Sequence, residues 1–342
     1  MNNNEVPPPL AMLQLMSGFW ISRCIYITAK LGLADLVKDG PKTAADLAAA
    51  TNTHPASLYR VLRALACVGV VTQDGDRFGD TPVLQTLRSD VPGSLRWFAM
   101  SELGEEHYPA WGELMHSVKT GEIAFDHAFG MDIWKFFGEH PDNAKIFNTS
   151  MSGMTAQVND ALHAVYDFGG IGTLLDIGGG HGGLITSILR RNPQMRGILF
   201  DAPQVIEGAR AVVDKSADVA GRCELIAGNF FESVPEGGDA HILKWIIHDW
   251  NDDQSLSILK NSHRALAENG KLILVEAVVP EGSEMHFSKF MDLNMLVMTG
   301  GRERTEAEFR DLYERSGFRL TRIVPTESPF SVIEGVRVQR AP

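Results

Sequence analysis

The sequence is poor in cysteine and short of positive charge, and no long apolar run in it is free of polar residues. Its three cysteines, Cys24, Cys67 and Cys223, stand far apart with no Cys-x-x-Cys pair. Neither a disulfide framework nor a zinc site is implied, and a reducing cytoplasm suits the chain. Lys and Arg total 31 against 43 Asp and Glu, for a net charge of −12. That balance argues against general binding to nucleic acid or to an anionic membrane. Residues 10–22 are rich in apolar side chains, yet Gln14, Ser17, Arg23 and Lys30 break the stretch and speak against a membrane span. No basic segment precedes it, so no signal peptide is expected. There is no internal repeat, and disorder is expected only over Asn2–Pro9, where three prolines run together. What the chain does have is length and apolar content: 342 residues, 44% hydrophobic, enough for a sizeable core and for two domains.

The most informative stretch is residues 173–183. Thr173 to Ile177 reads as a short buried strand, followed at once by the glycine-rich turn Gly178, Gly179, Gly180, His181, Gly182, Gly183. Leu184, Ile185, Ile188 and Leu189 then fall on one helical face, and Pro193 lies beyond the stop. Strand, glycine turn and helix start form the first half of a Rossmann-like nucleotide site. Glycines let the backbone turn tightly and approach a ligand, and the helix N-terminus offers free N–H groups. Alone, the Gly178-x-Gly180-x-x-Gly183 spacing is weak evidence, since a turn can need glycine for itself.

Two carboxylates sharpen it. Asp201 closes the next apolar run, 18 residues beyond Gly183, where a carboxylate grips ribose hydroxyls. Asp176 sits inside the first strand, and a carboxylate buried there needs a partner. A ligand with an ammonium group suits it better than a pyrophosphate. S-adenosylmethionine, with an ammonium and a ribose and no pyrophosphate, is therefore favoured over NAD.

Upstream, residues 10–38 read as an apolar helical stretch, either core or subunit interface. Residues 43–88 have a winged-helix cadence. Helices are expected over 43–50 and 55–67, then a hairpin turning at Asp74-Gly75. Winged helices often bind DNA, which makes a regulator the rival of a different class. Here Arg60, Arg63, Arg77 and Arg88 are matched by Asp46, Asp74, Asp76 and Asp80. A phosphate-binding module should be clearly positive, so a folding or dimerisation module is the better reading. Residues 93–166 look helical and aromatic, broken by Gly121, Gly130 and Pro141.

From 173 onward strands and helices alternate, which predicts a doubly wound, mostly parallel α/β sheet. Strands are expected at 173–177, 197–201, 223–227, 239–247, 271–277, 317–324 and 332–338, the last two pairing antiparallel across a short turn. In such sheets ligands lie beyond the carboxyl ends of the strands. Three polar residues fall there: His248 after the fourth strand, Glu276 near the end of the fifth, and Glu303 after Gly300-Gly301. An imidazole can take a proton near neutral pH, and a carboxylate on its other nitrogen fixes the tautomer. Glu276 and Glu303 are candidates for that orienting role, though each could equally be an ordinary structural ion pair. Asp249, Asp252 and Asp253 cluster as magnesium ligands often do. Their spacing also suits a helix start, with Asp252 or Asp253 near the N-cap, and the cap is preferred.

In order, the chain carries LLDIGGGHGG, ILFDAPQVI, AGNFFESVP, ILKWIIHDWNDD, LILVEAVVP and GGRERTEAEF. With these it resembles the metal-independent small-molecule O-methyltransferases, a family that includes plant caffeate and acetylserotonin enzymes and bacterial polyketide and phenazine enzymes. The likeness runs through nearly the whole chain. It implies a Rossmann-like class I methyltransferase fold with a seven-stranded sheet and an N-terminal, mainly helical winged-helix dimerisation domain. The expected domains are residues 1–92 for dimerisation, 93–166 as helical linker and substrate-pocket segment, and 167–342 for cofactor binding and catalysis.

The resemblance also implies an S-adenosylmethionine site at Asp176, Gly178, Gly180, Asp201, Asn229, Phe230 and Lys244. In it Asp201 would hold the ribose, and Asn229 and Phe230 the adenine. S-adenosylhomocysteine would be the product. It implies His248 as general base flanked by Glu276 and Glu303, and no metal. Phe147, Met151, Met154, Met295 and Met298 match positions lining the pocket for a small aromatic, hydroxyl-bearing acceptor. Methionines are more often plain core, but they also suit a pocket that adapts to flat rings. The expected assembly is an intertwined homodimer whose N-terminal helices complete the partner's pocket. Relatives of this fold that hydroxylate, decarboxylate or close rings keep a non-methylating alternative open. Two positions depart from the family pattern: Asn229 stands where aspartate is usual, and His181 replaces a small hydroxyl residue.

Overall fold

The computed structural model describes residues 6–338. Asn2–Glu5 of the expected disordered segment lie outside that range. Pro8 and Pro9 instead open a helix, Pro8–Met16. Proline is at home there, because the first-turn N–H groups have no intrahelical partner in any case.

The large sheet has seven strands. In chain order, after three short strands described below, they are β4 (Thr173–Ile177), β5 (Arg196–Asp201), β6 (Cys223–Ala227), β7 (Ala240–Lys244), β8 (Lys271–Glu276), β9 (Phe318–Pro325) and β10 (Ser331–Arg337). Their spatial order is β6-β5-β4-β7-β8-β10-β9. All neighbours are parallel except β10, which runs antiparallel to both β8 and β9. The strand order reverses at β4, between β5 and β7, which makes its carboxyl end the ligand crevice. Leu174, Leu175 and Ile177 on β4 are fully buried, as are Leu272, Ile273, Leu274 and Val275 on β8. Such continuous apolar runs are expected of strands covered on both faces.

The helix Gly183–Arg191 buries Leu184, Ile185, Ile188 and Leu189, the face read from the sequence. The helices Asp252–Ala265 and Glu306–Ser316 supply Leu256, Leu259, Phe309 and Leu312 to the same core. One expected strand is too long. Residues 239–247 shorten to Ala240–Lys244 because Trp245 adopts a left-handed φ of 56° and Ile247–Asp249 winds into a 3₁₀ turn. A β-branched, apolar sequence cannot announce such a break.

The N-terminal segment forms two main helices, Pro8–Met16 and Gly18–Leu31, with a short turn at Leu33–Leu36, not one run to residue 38. Gly32, at φ 65°, takes the left-handed cap that ends the second. Thr43 caps Ala44–Thr51 through a capping box with Asp46, and Pro55–Cys67 follows. A small antiparallel sheet, ordered β1 (Lys42–Thr43), β3 (Arg77–Gly79), β2 (Thr72–Asp74), completes this part; the turn between β2 and β3 is at Gly75, φ 60°. Leu47, Leu62, Leu65 and Phe78 form its core.

Leu13, Leu15, Met16, Phe19 and Trp20 remain exposed. Taken together, the helical stretch Pro8–Leu31 is long and apolar enough to cross a membrane by length and composition alone. The polar interruptions at Gln14 and Ser17 do not lower its hydropathy far enough to exclude that on composition.

The chain divides into two compact units that do not follow boundaries at 92 and 166. One comprises residues up to Tyr108 with Asp142–Met154; the other comprises Pro109–Pro141 and everything from Thr155. The segment 93–166 is shared between them. Arg96 bonds Ala29 O and Asp35 within the first unit, whereas Trp111 donates to Asn294 within the second. Gly121 and Gly130 cap their helices in left-handed geometry, and Pro141 opens the 25-residue helix Pro141–Val165. All three breaks fall where the sequence puts them.

Candidate active site

The glycine turn follows β4. Gly178, Gly180 and Gly182 take φ values of 71°, 60° and 79°. At Gly178 the positive φ disfavours any side chain, and a Cβ there would also lie 2.5 Å from Ile246 Cδ1. Asp201, at the end of β5, holds the turn in place. Its Oδ2 accepts the Gly180 N–H at 2.8 Å and its Oδ1 the Ala202 N–H at 2.7 Å. Burial, the largest influence, pushes the Asp201 carboxyl up, against these two hydrogen bonds.

Asp176 is 1% exposed, and its Oδ2 has no hydrogen-bond partner among the described residues. Burial raises its carboxyl to about 7, opposed by the charge of Lys244 and reinforced by Asp201. Burial lowers the Lys244 ammonium to about 7, opposed by Asp176 and Glu276. Lys244 Nζ stands 3.3 Å from the centroid of the Trp245 ring, a cation–π contact.

The sequence gives no reason for His181; the structure supplies one. A Cβ on Gly208 would meet His181 Nε2 at 2.9 Å, so the imidazole fills the space that Gly208 leaves open. Asn229 is engaged locally: Oδ1 accepts the Phe231 N–H at 3.0 Å and Nδ2 donates to Glu232 at 3.2 Å. An amide oxygen can accept a second bond. Phe230 lies beside Gly178, with its ring edge-on to Trp250 at 6.0 Å.

His248, Glu276 and Glu303 converge. His248 Nδ1 is 2.8 Å from Glu303 Oε1 and 3.9 Å from Glu276 Oε2. His248 Nε2 points to the other side, 3.7 Å from Asp249 Oδ1. Glu276 Oε1 accepts the backbone N–H groups of Ile246 and Ile247 at 3.0 and 2.9 Å. The Glu303 N–H in turn donates to Asp292 at 2.9 Å. Glu276 Oε2 and Glu303 Oε2 are buried without a hydrogen-bond partner among the described residues. Burial, the largest influence, acts to lower the imidazole's proton affinity. Glu303, Glu276 and Asp249 outweigh it and push His248 up to about 10. Glu276 rises to about 7, chiefly through burial, with His248 opposing.

The helix start at 252 is capped by Asn251, through a box with Gln254, and not by Asp252 or Asp253. Asp252 Oδ1 is instead taken by Arg304 at 2.7 Å. Met295 and Met298 are buried on the helix Phe287–Met298 in the second compact unit. Phe147, Met151 and Met154 are half-buried on residues 142–154 of the long helix, in the first. Their spacing puts these three on one helical face. Sequence reasoning missed Arg304 and Trp245; the only signal for the former was its place beside Glu303.

Fold and site together define a nucleotide-dependent α/β enzyme of the class I methyltransferase type, with a buried histidine–carboxylate cluster at the strand ends. Residues 111–319 match the model of the O-methyltransferase domain, and residues 13–90 that of the O-methyltransferase dimerisation domain. The chain is 44% identical over 336 residues to the phenazine O-methyltransferase of Lysobacter antibioticus, covering 97% of this chain and 98% of that one. Among solved structures it is similar to LaPhzM, with 44% identity, a TM-score of 0.91, and 97% and 100% of the two chains covered. It is also similar to CalO1, a methyltransferase of calicheamicin biosynthesis in its SAH-bound form, with 34% identity, a TM-score of 0.86, and 98% and 100% covered. The chain belongs to the O-methyltransferase family, with an O-methyltransferase dimerisation domain at its N-terminus. It is an S-adenosylmethionine-dependent O-methyltransferase, related to enzymes of antibiotic and secondary metabolism. The partnerless, buried Asp176 Oδ2 beside the open glycine turn fits a cofactor that brings an ammonium group.

Proposed function

We propose that the protein methylates a phenolic hydroxyl of a small aromatic specialised metabolite, with His248 as general base. The 2.8 Å contact between His248 Nδ1 and Glu303 carries this reading. A carboxylate on Nδ1 keeps the proton there and leaves Nε2 as the acceptor. When bound, S-adenosylmethionine supplies an electrophilic methyl group on a sulfonium. The chain's own residues do the rest. Asp176 receives the ammonium, Asp201 the ribose hydroxyls, and Asn229 and Phe230 hold the adenine, with Gly178 and Gly180 allowing close approach and Lys244 completing the wall. His248 Nε2 takes the hydroxyl proton as the oxygen attacks, while Glu303 and Glu276 stabilise the imidazolium that forms. The neighbouring carboxylates push the imidazole up to about 10, which makes Nε2 a stronger base in the fraction that is neutral.

Met295 and Met298, within the second unit, are the proposed acceptor-lining residues; for Phe147, Met151 and Met154, in the first, that role is only what the family resemblance implies. The exposed apolar row Leu13, Leu15, Met16, Phe19 and Trp20 supports burial against a second copy in a homodimer, for which a cytoplasmic location is proposed. The test is turnover of a monohydroxyphenazine with labelled S-adenosylmethionine. Label recovered in the O-methyl ether is expected. Cofactor binding without label transfer, across hydroxyphenazines and simple phenols alike, overturns the reading and points to non-methylating chemistry.

A further inference from the structure

Arg304 is 1% exposed, the largest of the fully buried side chains. It belongs to no part of the cofactor or acceptor machinery described above. A buried guanidinium is costly unless its donors are met, and here all partners but one sit on the loop that carries His248 or on the first turn of the helix that follows it. Nη1 donates to Ile247 O at 3.1 Å, and Nη2 to Trp250 O at 3.1 Å and to Ser255 Oγ at 3.2 Å. Nη2 and Nε both reach Asp252 Oδ1, at 2.7 and 3.1 Å. The remaining bond, to Arg302 O, closes its own segment. The guanidinium thus clamps the carbonyls on either side of His248, at residues 247 and 250.

The same segment grips that loop again. The Arg302 N–H donates to His248 O at 2.8 Å, while the Arg304 O accepts the Val279 N–H at 2.9 Å, tying the segment to the chain just beyond β8. Gly301 passes so close that a Cβ would lie 2.0 Å from His248 O. Glu303, between Arg302 and Arg304, is the residue that contacts the imidazole. Backbone and side chain of His248 are therefore held by one stretch of chain.

We propose that Arg304 is a positioning residue that sets the distance between His248 and Glu303 by locking the His248 loop onto the segment bearing Glu303. Lysine in its place keeps a charge but cannot span carbonyls at 247 and 250 together, because an ammonium is a point donor and not a planar fork. This inference rests on His248 being the base.

The experiment compares Arg304→Lys and Asp252→Asn with the wild type, each saturated with S-adenosylhomocysteine. His248 is followed by nitrogen-15 NMR titration and folding by thermal melting. Turnover is measured with a monohydroxyphenazine. Arg304→Lys is expected to lower kcat by about 10²-fold, the scale of an ångström-sized misplacement, with KM for S-adenosylmethionine unchanged. The His248 titration midpoint should move down toward that of an ordinary histidine as the Glu303 contact loosens. Asp252→Asn should move both in the same direction by less. A folded Arg304→Lys with wild-type kcat and midpoint overturns the proposal. So does a loss of rate that follows only the folded fraction while the midpoint stays put. If Arg304→Lys does not fold, Asp252→Asn decides, and an unmoved midpoint with unmoved kcat is the negative result. Full turnover by His248→Ala defeats the base assignment instead, while the NMR midpoint still reports on the clamp.

Discussion

Glu303 Oε1 and His248 Nδ1 lie 2.8 Å apart although 55 positions separate them in the chain. The bond commits one imidazole nitrogen to a buried carboxylate and frees the other. A phenol near ~10 is almost wholly protonated at neutral pH and a poor nucleophile. His248→Ala should therefore lower kcat, by up to about 10²–10⁴-fold and by less at pH 7, where an imidazole raised to about 10 is mostly protonated. Its affinity for S-adenosylhomocysteine should be intact by calorimetry. Wild-type turnover across pH 7–10, or loss of cofactor binding, removes His248 from the role of base.

The pH profile follows from the same cluster. The imidazole must be neutral to accept a proton, and the carboxylates hold its proton affinity at about 10. kcat/KM should therefore climb from pH 7 toward 10. Glu303→Gln removes the leading upward influence, so its rising limb should shift to lower pH, at a smaller cost in rate than His248→Ala. Stability has a definite sign too. A histidine raised from 6.5 to about 10 stabilises the fold fully below 6.5 and loses that contribution as pH rises through 10. Glu276, raised from 4.5 to about 7, acts in the same direction at lower pH. Melting temperature should fall from pH 7 to 10, and His248→Gln should flatten that slope.

Asp176→Asn tests the cofactor site. Its Oδ2 is buried without a partner among the described residues, and an amide there no longer offers a negative charge to an ammonium. Calorimetry should show S-adenosylhomocysteine binding to the wild type, roughly tenfold or more weaker binding to the variant, and no heat with NAD. Preference for NAD contradicts the assignment.

Methyl transfer should survive excess EDTA. Asp252 is already held by Arg304 at 2.7 Å, and His248 is committed to Glu303. Activity lost on chelation and restored by magnesium assigns the acidic cluster to a metal instead.

Random duplex DNA should not shift with the protein at physiological salt. Residues 43–88 carry as many acidic as basic side chains, so few counterions can be released. Tight binding with a steep salt slope makes the regulator reading the better one.

Much of this was legible in the chain itself. The strand, glycine turn and helix at 173–191 follow from local chemistry: an apolar run, glycines free to take positive φ, and a helical face of Leu184, Ile185, Ile188 and Leu189. Alternating strands and helices forced a parallel sheet, and that topology placed His248, Glu276 and Glu303 at one edge before any distance was known. The identity of the partners was not legible. Glu303 and Glu276 were equal candidates for the imidazole by sequence. In the folded chain Gly301 passes close to the His248 carbonyl, Glu303 lies at 2.8 Å from the imidazole, and Glu276 stays at 3.9 Å, occupied by the N–H groups of Ile246 and Ile247. Beyond its place beside Glu303, Arg304 gave no signal, because a lone arginine reads as surface until its carbonyl partners, 54 and 57 positions away, are folded around it. His181 was silent for the same reason, since its explanation is the missing side chain of Gly208 on the helix Pro203–Val213. Sequence determines what each segment does with its own hydrogen bonds and apolar face. Which buried charges meet depends on contacts between segments, where a shift of an ångström decides the partner.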